Sequence, residues 1–133
     1  AIAVAAPPGP ARVAAWMDAQ RGEVFAQVFE REDAQAHPIT DAIAALPAVV
    51  LQHHREWVSG SVFEGDGAIR YAADVRGAVG DHARVATDVP HLAVAIGRIA
   101  ASSPDRAVLP HAVVPIYVRK PDAEIARDRR AGA

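Results

Sequence analysis

The chain predicts an α/β domain, a mixed β-sheet with helices packed on it. Three observations carry that expectation. Two β-rich segments stand close together near the start, two stretches show helical periodicity, and a strand–glycine turn–helix unit, "VFEGDGAIRY", occupies Val62 to Tyr71. Such alternation of strand and helix signals favours a layered sheet over a bundle or a sandwich.

Each element has its own justification. "RVAAWMDA" (Arg12 to Ala19) and "GEVFAQVFE" (Gly22 to Glu30) are rich in β-branched and aromatic residues. Gln20 and Arg21 separate them, with Gly22 next, so they read as a β-hairpin. Alternation then groups Val13, Ala15 and Met17 on one face, with Val24, Ala26 and Val28 as their cross-strand partners. Phe25 and Phe29 point the other way, so both faces of the sheet are expected to be covered. From Pro47 to Val58 a proline opens a helix whose apolar stripe is Val50, His54 and Trp57. A strand at Ser61 to Glu64 leads through the glycine turn to a helix from about Ala68 to Val75. Asp88 is placed to cap a further helix running to Ala101, with Leu92, Ile96 and Ile99 on one side. "HAVVPIYVR" (His111 to Arg119) reads as a last strand, at an edge or a bulge because of Pro115. The final residues form a polar helix fading into a tail.

Composition narrows the function classes. The 133 residues suit one compact domain, half of them apolar (51%), with a net charge of only -2, so no global field marks a nucleic-acid or membrane partner. Without cysteine there is no disulfide, no thiolate nucleophile and no Cys-type zinc site. No apolar run approaches the roughly 20 residues of a membrane span, and a cytoplasmic location is expected. The single methionine, Met17, falls inside a strand, so the chain is expected to be a piece of a longer protein. On this reading residues 1–11, with "AAPPGP", are an interdomain linker remnant, residues 12–120 the domain, and residues 121–133 the polar tail.

Three pieces, "DAQRGEVF" (Asp18 to Phe25), "FEGDGAIRY" (Phe63 to Tyr71) and "PIYVRKPDAE" (Pro115 to Glu124), resemble in order the C-terminal half of the TsaB family, the YeaZ-type proteins formerly labelled M22 glycoproteases. The resemblance implies a ribonuclease-H-like lobe of the actin-like ATPase superfamily. It also implies a non-catalytic platform that works with TsaD and TsaE in making threonylcarbamoyladenosine in tRNA. ATP and metal would then belong to those partners, with no cofactor here and contact with tRNA only indirect. The family's first lobe, which carries the helices that pair with TsaD, has no counterpart in this sequence. A lone second lobe is expected to expose an apolar patch and to pair weakly with its own copy.

The "EGDGA" turn poses the sharpest functional question, because a strand, a Gly-x-Gly turn and a helix can cradle phosphate. A sugar-kinase-like ATP-binding lobe is the competing expectation. However, Asp66 stands between Gly65 and Gly67, and Glu64 precedes them, so two carboxylates would face any phosphate. There is no lysine nearby and no G-x-x-x-x-G-K-[ST] motif. Gly65, Asp66 and Gly67 are therefore read as a vestigial, architectural turn, with at least one glycine at positive φ or pressed against a neighbouring backbone.

The remaining polar residues carry no catalytic pattern. His53 and His54 diverge by about 100° on a helix and cannot share a metal, and His37, His82, His91 and His111 are scattered. Ser59, Ser61, Ser102 and Ser103 lie outside any G-x-S-x-G elbow. Asp18 and Glu23 flank the hairpin turn, and the Asp is expected to bond turn amides rather than act as one of two paired acids. Tyr117, Arg119, Lys120 and Arg127 form the candidate partner surface.

Overall fold

The computed structural model describes residues 1–9, 11–33, 35–119 and 127. In chain order they form helical turn α1 (Ile2–Ala5), strands β1 (Arg12–Asp18), β2 (Val24–Glu32), β3 (Gln35–Pro38) and β4 (Ile43–Ala45), and helices α2 (Pro47–His53) and α3 (Arg55–Val58). Strand β5 (Val62–Glu64), helices α4 (Asp66–Arg70) and α5 (Ala72–Val79), strand β6 (Arg84–Val85) and helix α6 (Leu92–Ser102) follow. The sheet is mixed, in the order β3-β2-β1-β5-β6, with β4 also on β2. The β1–β2, β2–β3 and β2–β4 pairs are antiparallel, and β1–β5 and β5–β6 pair parallel. The expected mixed sheet opened by a hairpin is present.

The hairpin register differs from expectation by one residue. A two-residue Gln20–Arg21 turn would set Val13 opposite Val28. The structure instead sets Val13 opposite Phe29, Trp16 opposite Ala26 and Asp18 opposite Val24. The loop has three residues: Gln20, Arg21 and Gly22 all adopt positive φ (61°, 57° and 81°), and the Ala19 amide donates to the Glu23 carbonyl. Because side chains alternate, the extra loop residue moves each cross-strand partner to the other face. Ala14 and Trp16, not Val13, Ala15 and Met17, therefore share the main core face with Val24, Ala26 and Val28.

On that face Trp16 meets Phe63 edge-to-face, ring centres 5.6 Å apart. Val50, Leu51 and Val58 from α2 and α3, with Ala68 and Val75 from α4 and α5, close over them. The first two of the expected helices are each broken once. His54 interrupts the first at φ -96°, ψ 17°, and Tyr71 interrupts the second at φ -107°, ψ 27°. In α6 the inner side is Leu92, Ala95 and Ile99, while Ile96 is 55% exposed. Asp88 does not cap this helix; its carboxylate takes the Thr87 hydroxyl, and His91 occupies the cap position.

The opposite face carries Val13, Phe29 and Val62, covered by Ala3 and Ala6. Residues 1–11 were expected to be linker, yet α1 packs on the sheet, and Arg31 ties its end by donating to the carbonyls of Ala6 (3.2 Å) and Pro7 (2.7 Å). The alternating small apolar residues of "AIAVAA" allow that close approach. Beside α1 an apolar groove of about 280 Å³ is lined by Met17, Phe25, Phe29, Leu92 and Val118.

The last expected strand does not form. Residues 104–119 run as two short 3-10 turns, Pro104–Arg106 and Pro110–Ala112, and then an unpaired stretch. Pro110 and Pro115 each remove a ladder donor, and among the described residues no strand pairs with the segment. The polar helical tail, residues 121–133, lies outside the described residues apart from Arg127.

Candidate functional site: the glycine–aspartate turn

The turn sits where β5 ends against the end of β1. Gly65 has φ 105°, a conformation that side chains with a β-carbon rarely adopt. A β-carbon built on Gly65 would stand 2.2 Å from the Trp16 carbonyl oxygen, and one on Gly67 would stand 2.7 Å from the Met17 carbonyl carbon. Both glycines are therefore required by close backbone approach, as the architectural reading expects.

Asp66 joins the two strands. Its Oδ1 accepts from the amide of Gly67 (3.0 Å) and from the amide of Asp18 across the sheet (3.2 Å). A carboxylate thus occupies the amide that an incoming phosphate would need, and adds negative charge there. Asp18 in turn accepts from the Gln20 amide (3.1 Å) and from Arg70 (3.1 Å). It bonds the turn, as expected. Glu23 points instead to Arg119, so the two carboxylates serve separate partners.

Glu64 lies on the other face of β5, opposite Ala15, and is 2% exposed. Burial pushes its carboxyl above the ordinary range, with the positive charge of Arg31 opposing in part. The sequence placed Glu64 beside the turn as a charge facing phosphate, and nothing in its spacing marked it as buried.

His54 was expected in the apolar stripe, and it is there, 1% exposed. Neither ring nitrogen makes a hydrogen bond of good geometry. Burial, with His53 beside it at 5.1 Å between rings, pushes its pKa down, and the Asp41 backbone opposes this in part. His37, His82, His91 and His111 are exposed, as expected of scattered histidines. Among the described residues no three His, Asp or Glu side chains are grouped to hold a metal ion. Ser61 is buried and bonds the Trp57 carbonyl (2.7 Å), and Ser102 bonds Ile99 (3.0 Å).

The candidate partner surface divides. Tyr117 is 74% exposed, and Arg127 is exposed. Lys120 lies outside the described residues. Arg119 is committed within the fold: its guanidinium donates to the Ala19 carbonyl (2.9 Å) and to Glu23, and stacks over Phe25 at 5.4 Å. A cation beside a carboxylate, a carbonyl and an aromatic face is held there rather than offered outward. Among the described residues no helix is long and apolar enough to cross a membrane.

No family model matches the chain, and no curated protein is found similar to it. Solved structures do match. An uncharacterized protein from Pseudomonas aeruginosa with similarity to peptidase YeaZ superposes with a TM-score of 0.67 at 20% identity, over 89% of this chain and 56% of that one. YeaZ from Pseudomonas aeruginosa superposes with a TM-score of 0.60 at 20% identity, over 83% of this chain and 50% of that one. The chain spans about half the length of the structures it matches. Over most of its length, then, this chain has the fold of those YeaZ-type structures, a mixed β-sheet with packed helices.

Proposed function

We propose that this chain is a non-catalytic accessory lobe of a TsaB-like protein, cytoplasmic, which supports TsaD and TsaE in forming threonylcarbamoyladenosine in tRNA. It acts by holding shape and presenting surfaces, with tRNA touched only through the assembly. The observation that carries this reading is the turn itself. Gly65 and Gly67 press on β1, and Asp66 takes the Gly67 amide, so this strand–turn–helix element is filled by its own carboxylate. The likeness to YeaZ structures supports the family assignment, and the active partners would bring ATP and metal.

Two measurements test this. Calorimetry with ATP and magnesium should give no saturable heat below millimolar concentration; micromolar binding would instead favour the sugar-kinase-like reading. Reconstituted tRNA modification with TsaD and TsaE from the same genome should depend on the full-length protein. A reaction running at full rate without it would sink the accessory role.

A further inference from the structure

Helices α2 and α3 face α5 across an open groove of about 470 Å³, within the roughly 300–1,000 Å³ of small-molecule sites. Leu51, Arg55 and Val58 line it from one side, and Asp74 and Val79 from the other. The spacing 51, 55, 58 makes one helical stripe. That stripe survives the break at His54, because the His54 amide still donates to the Val50 carbonyl (2.9 Å) and the Val58 amide to the His54 carbonyl (3.1 Å). Leu51 and Val58 are core residues, and Val79 packs on the same core, so the floor of the groove is apolar and fixed. Ala48 and Ala78, which also line it, have no side chain long enough to fill the space.

Arg55 and Asp74 are the charged groups of this groove. Both are exposed, and among the described residues neither makes an ion pair or a hydrogen bond, with each other or elsewhere. One helical wall thus offers a cation and the other a carboxylate, over an apolar floor. A simple anion drawn to Arg55 would meet the charge of Asp74, and a simple cation drawn to Asp74 would meet Arg55. A single charge therefore gains little there. A ligand that carries both charges and an apolar group satisfies both walls and the floor together.

We infer that this groove binds a free α-amino acid with an aliphatic side chain, held as its zwitterion. Arg55 takes the α-carboxylate, in the forked pairing that guanidinium and carboxylate favour. Asp74 takes the α-ammonium group. The aliphatic side chain leaves water for the surface of Leu51, Val58 and Val79. Both charges stand in solvent and are screened, so the affinity is expected to be about millimolar. No residue of the glycine–aspartate turn lines this groove, and the inference does not rest on the accessory-lobe reading.

L-Leucine and its two one-charge analogues make the test: isocaproate, which lacks the ammonium group, and isoamylamine, which lacks the carboxylate. Titrated at pH 7 into the isotope-labelled 133-residue chain, leucine should give saturable amide shifts in NMR spectra, confined to α2, α3 and α5. Each analogue should bind at least about fivefold more weakly than leucine. Arg55→Gln should weaken leucine by about fivefold and erase its advantage over the amine. Asp74→Asn should weaken it similarly and erase its advantage over the carboxylate. Both side chains are exposed, and circular dichroism melts confirm that the variants stay folded. The absence of saturable shifts below about 20 mM leucine overturns the inference. So does an analogue that binds as tightly as leucine, or a variant that keeps the parent's preferences.

Discussion

The carbonyl oxygen of Trp16 stands where a β-carbon of residue 65 would be, 2.2 Å from its ideal position, so position 65 has to be glycine. Strand β1 and the turn after β5 touch backbone to backbone there. The same contact continues at Gly67, where the clash would be with the backbone of Met17 and Asp18.

Substitution at either glycine should therefore be costly. Gly65→Ala and Gly67→Val are each expected to lose about 1–3 kcal/mol, from forced backbone displacement at both sites and from positive φ at Gly65. Thermal melts against the parent measure it. Gly77, which has nothing within 4 Å of an added β-carbon, is the control, and Gly77→Ala should be neutral or stabilising. A Gly67→Val protein that melts like the parent would remove the architectural account.

Asp66→Ala should cost about 1 kcal/mol, because it frees the amides of both Gly67 and Asp18. Asp66→Asn keeps an acceptor oxygen and should lose less. Denaturant titration of the two variants separates them. Equal losses would show that charge, and not hydrogen bonding, sets the role of Asp66.

Glu64 makes stability pH-dependent in a defined sense. Its folded pKa lies above the ordinary 4.5, so the fold favours the protonated acid. At neutral pH the buried carboxylate is a penalty. Stability is regained as pH falls through the raised value towards 4.5, below which the gain is complete. Glu64→Gln should stabilise the chain at pH 7, with the advantage fading near pH 4. Melts across that range check it, and an advantage that grows towards acid would reverse the assignment.

His54 acts oppositely. Its folded pKa lies below the ordinary 6.5, so the fold favours neutral imidazole. The native state carries no penalty above pH 6.5 and loses stability as pH falls below it, down to the lowered value. His54→Leu should flatten the stability profile between pH 7 and pH 5. An unchanged slope in that variant would place the titration elsewhere.

Arg119 closes the chain back onto the hairpin turn. Arg119→Ala breaks the ion pair with Glu23 and the contact over Phe25, and should speed proteolytic cleavage between residues 104 and 118 several-fold through local opening. The global melt should move little, since a partly exposed pair contributes roughly 1 kcal/mol or less. A large drop in melting temperature with unchanged cleavage would contradict a local role.

Several features were legible in the sequence because their causes are local. The hairpin, the proline-opened helix and the strand–turn–helix around Gly65 and Gly67 each follow from propensity and spacing along one stretch of chain. The burial of His54 was also visible, since it stands four residues after Val50 and shares its helical face. Glycines flanking an aspartate foretold the close backbone approach at Gly65 and Gly67.

Tertiary structure decided what depends on partners distant in sequence. The hairpin faces turned on whether Gly22 joined the loop, and one residue of slip exchanges the two faces. Glu64 is buried on the face of the sheet where α1, far away along the chain, packs, and Arg119 is held because the hairpin turn lies beside it. The segment 113–117 has the composition of a strand but not the partner. A strand needs a second backbone to satisfy its amides, and propensity along one chain cannot say whether that backbone is present.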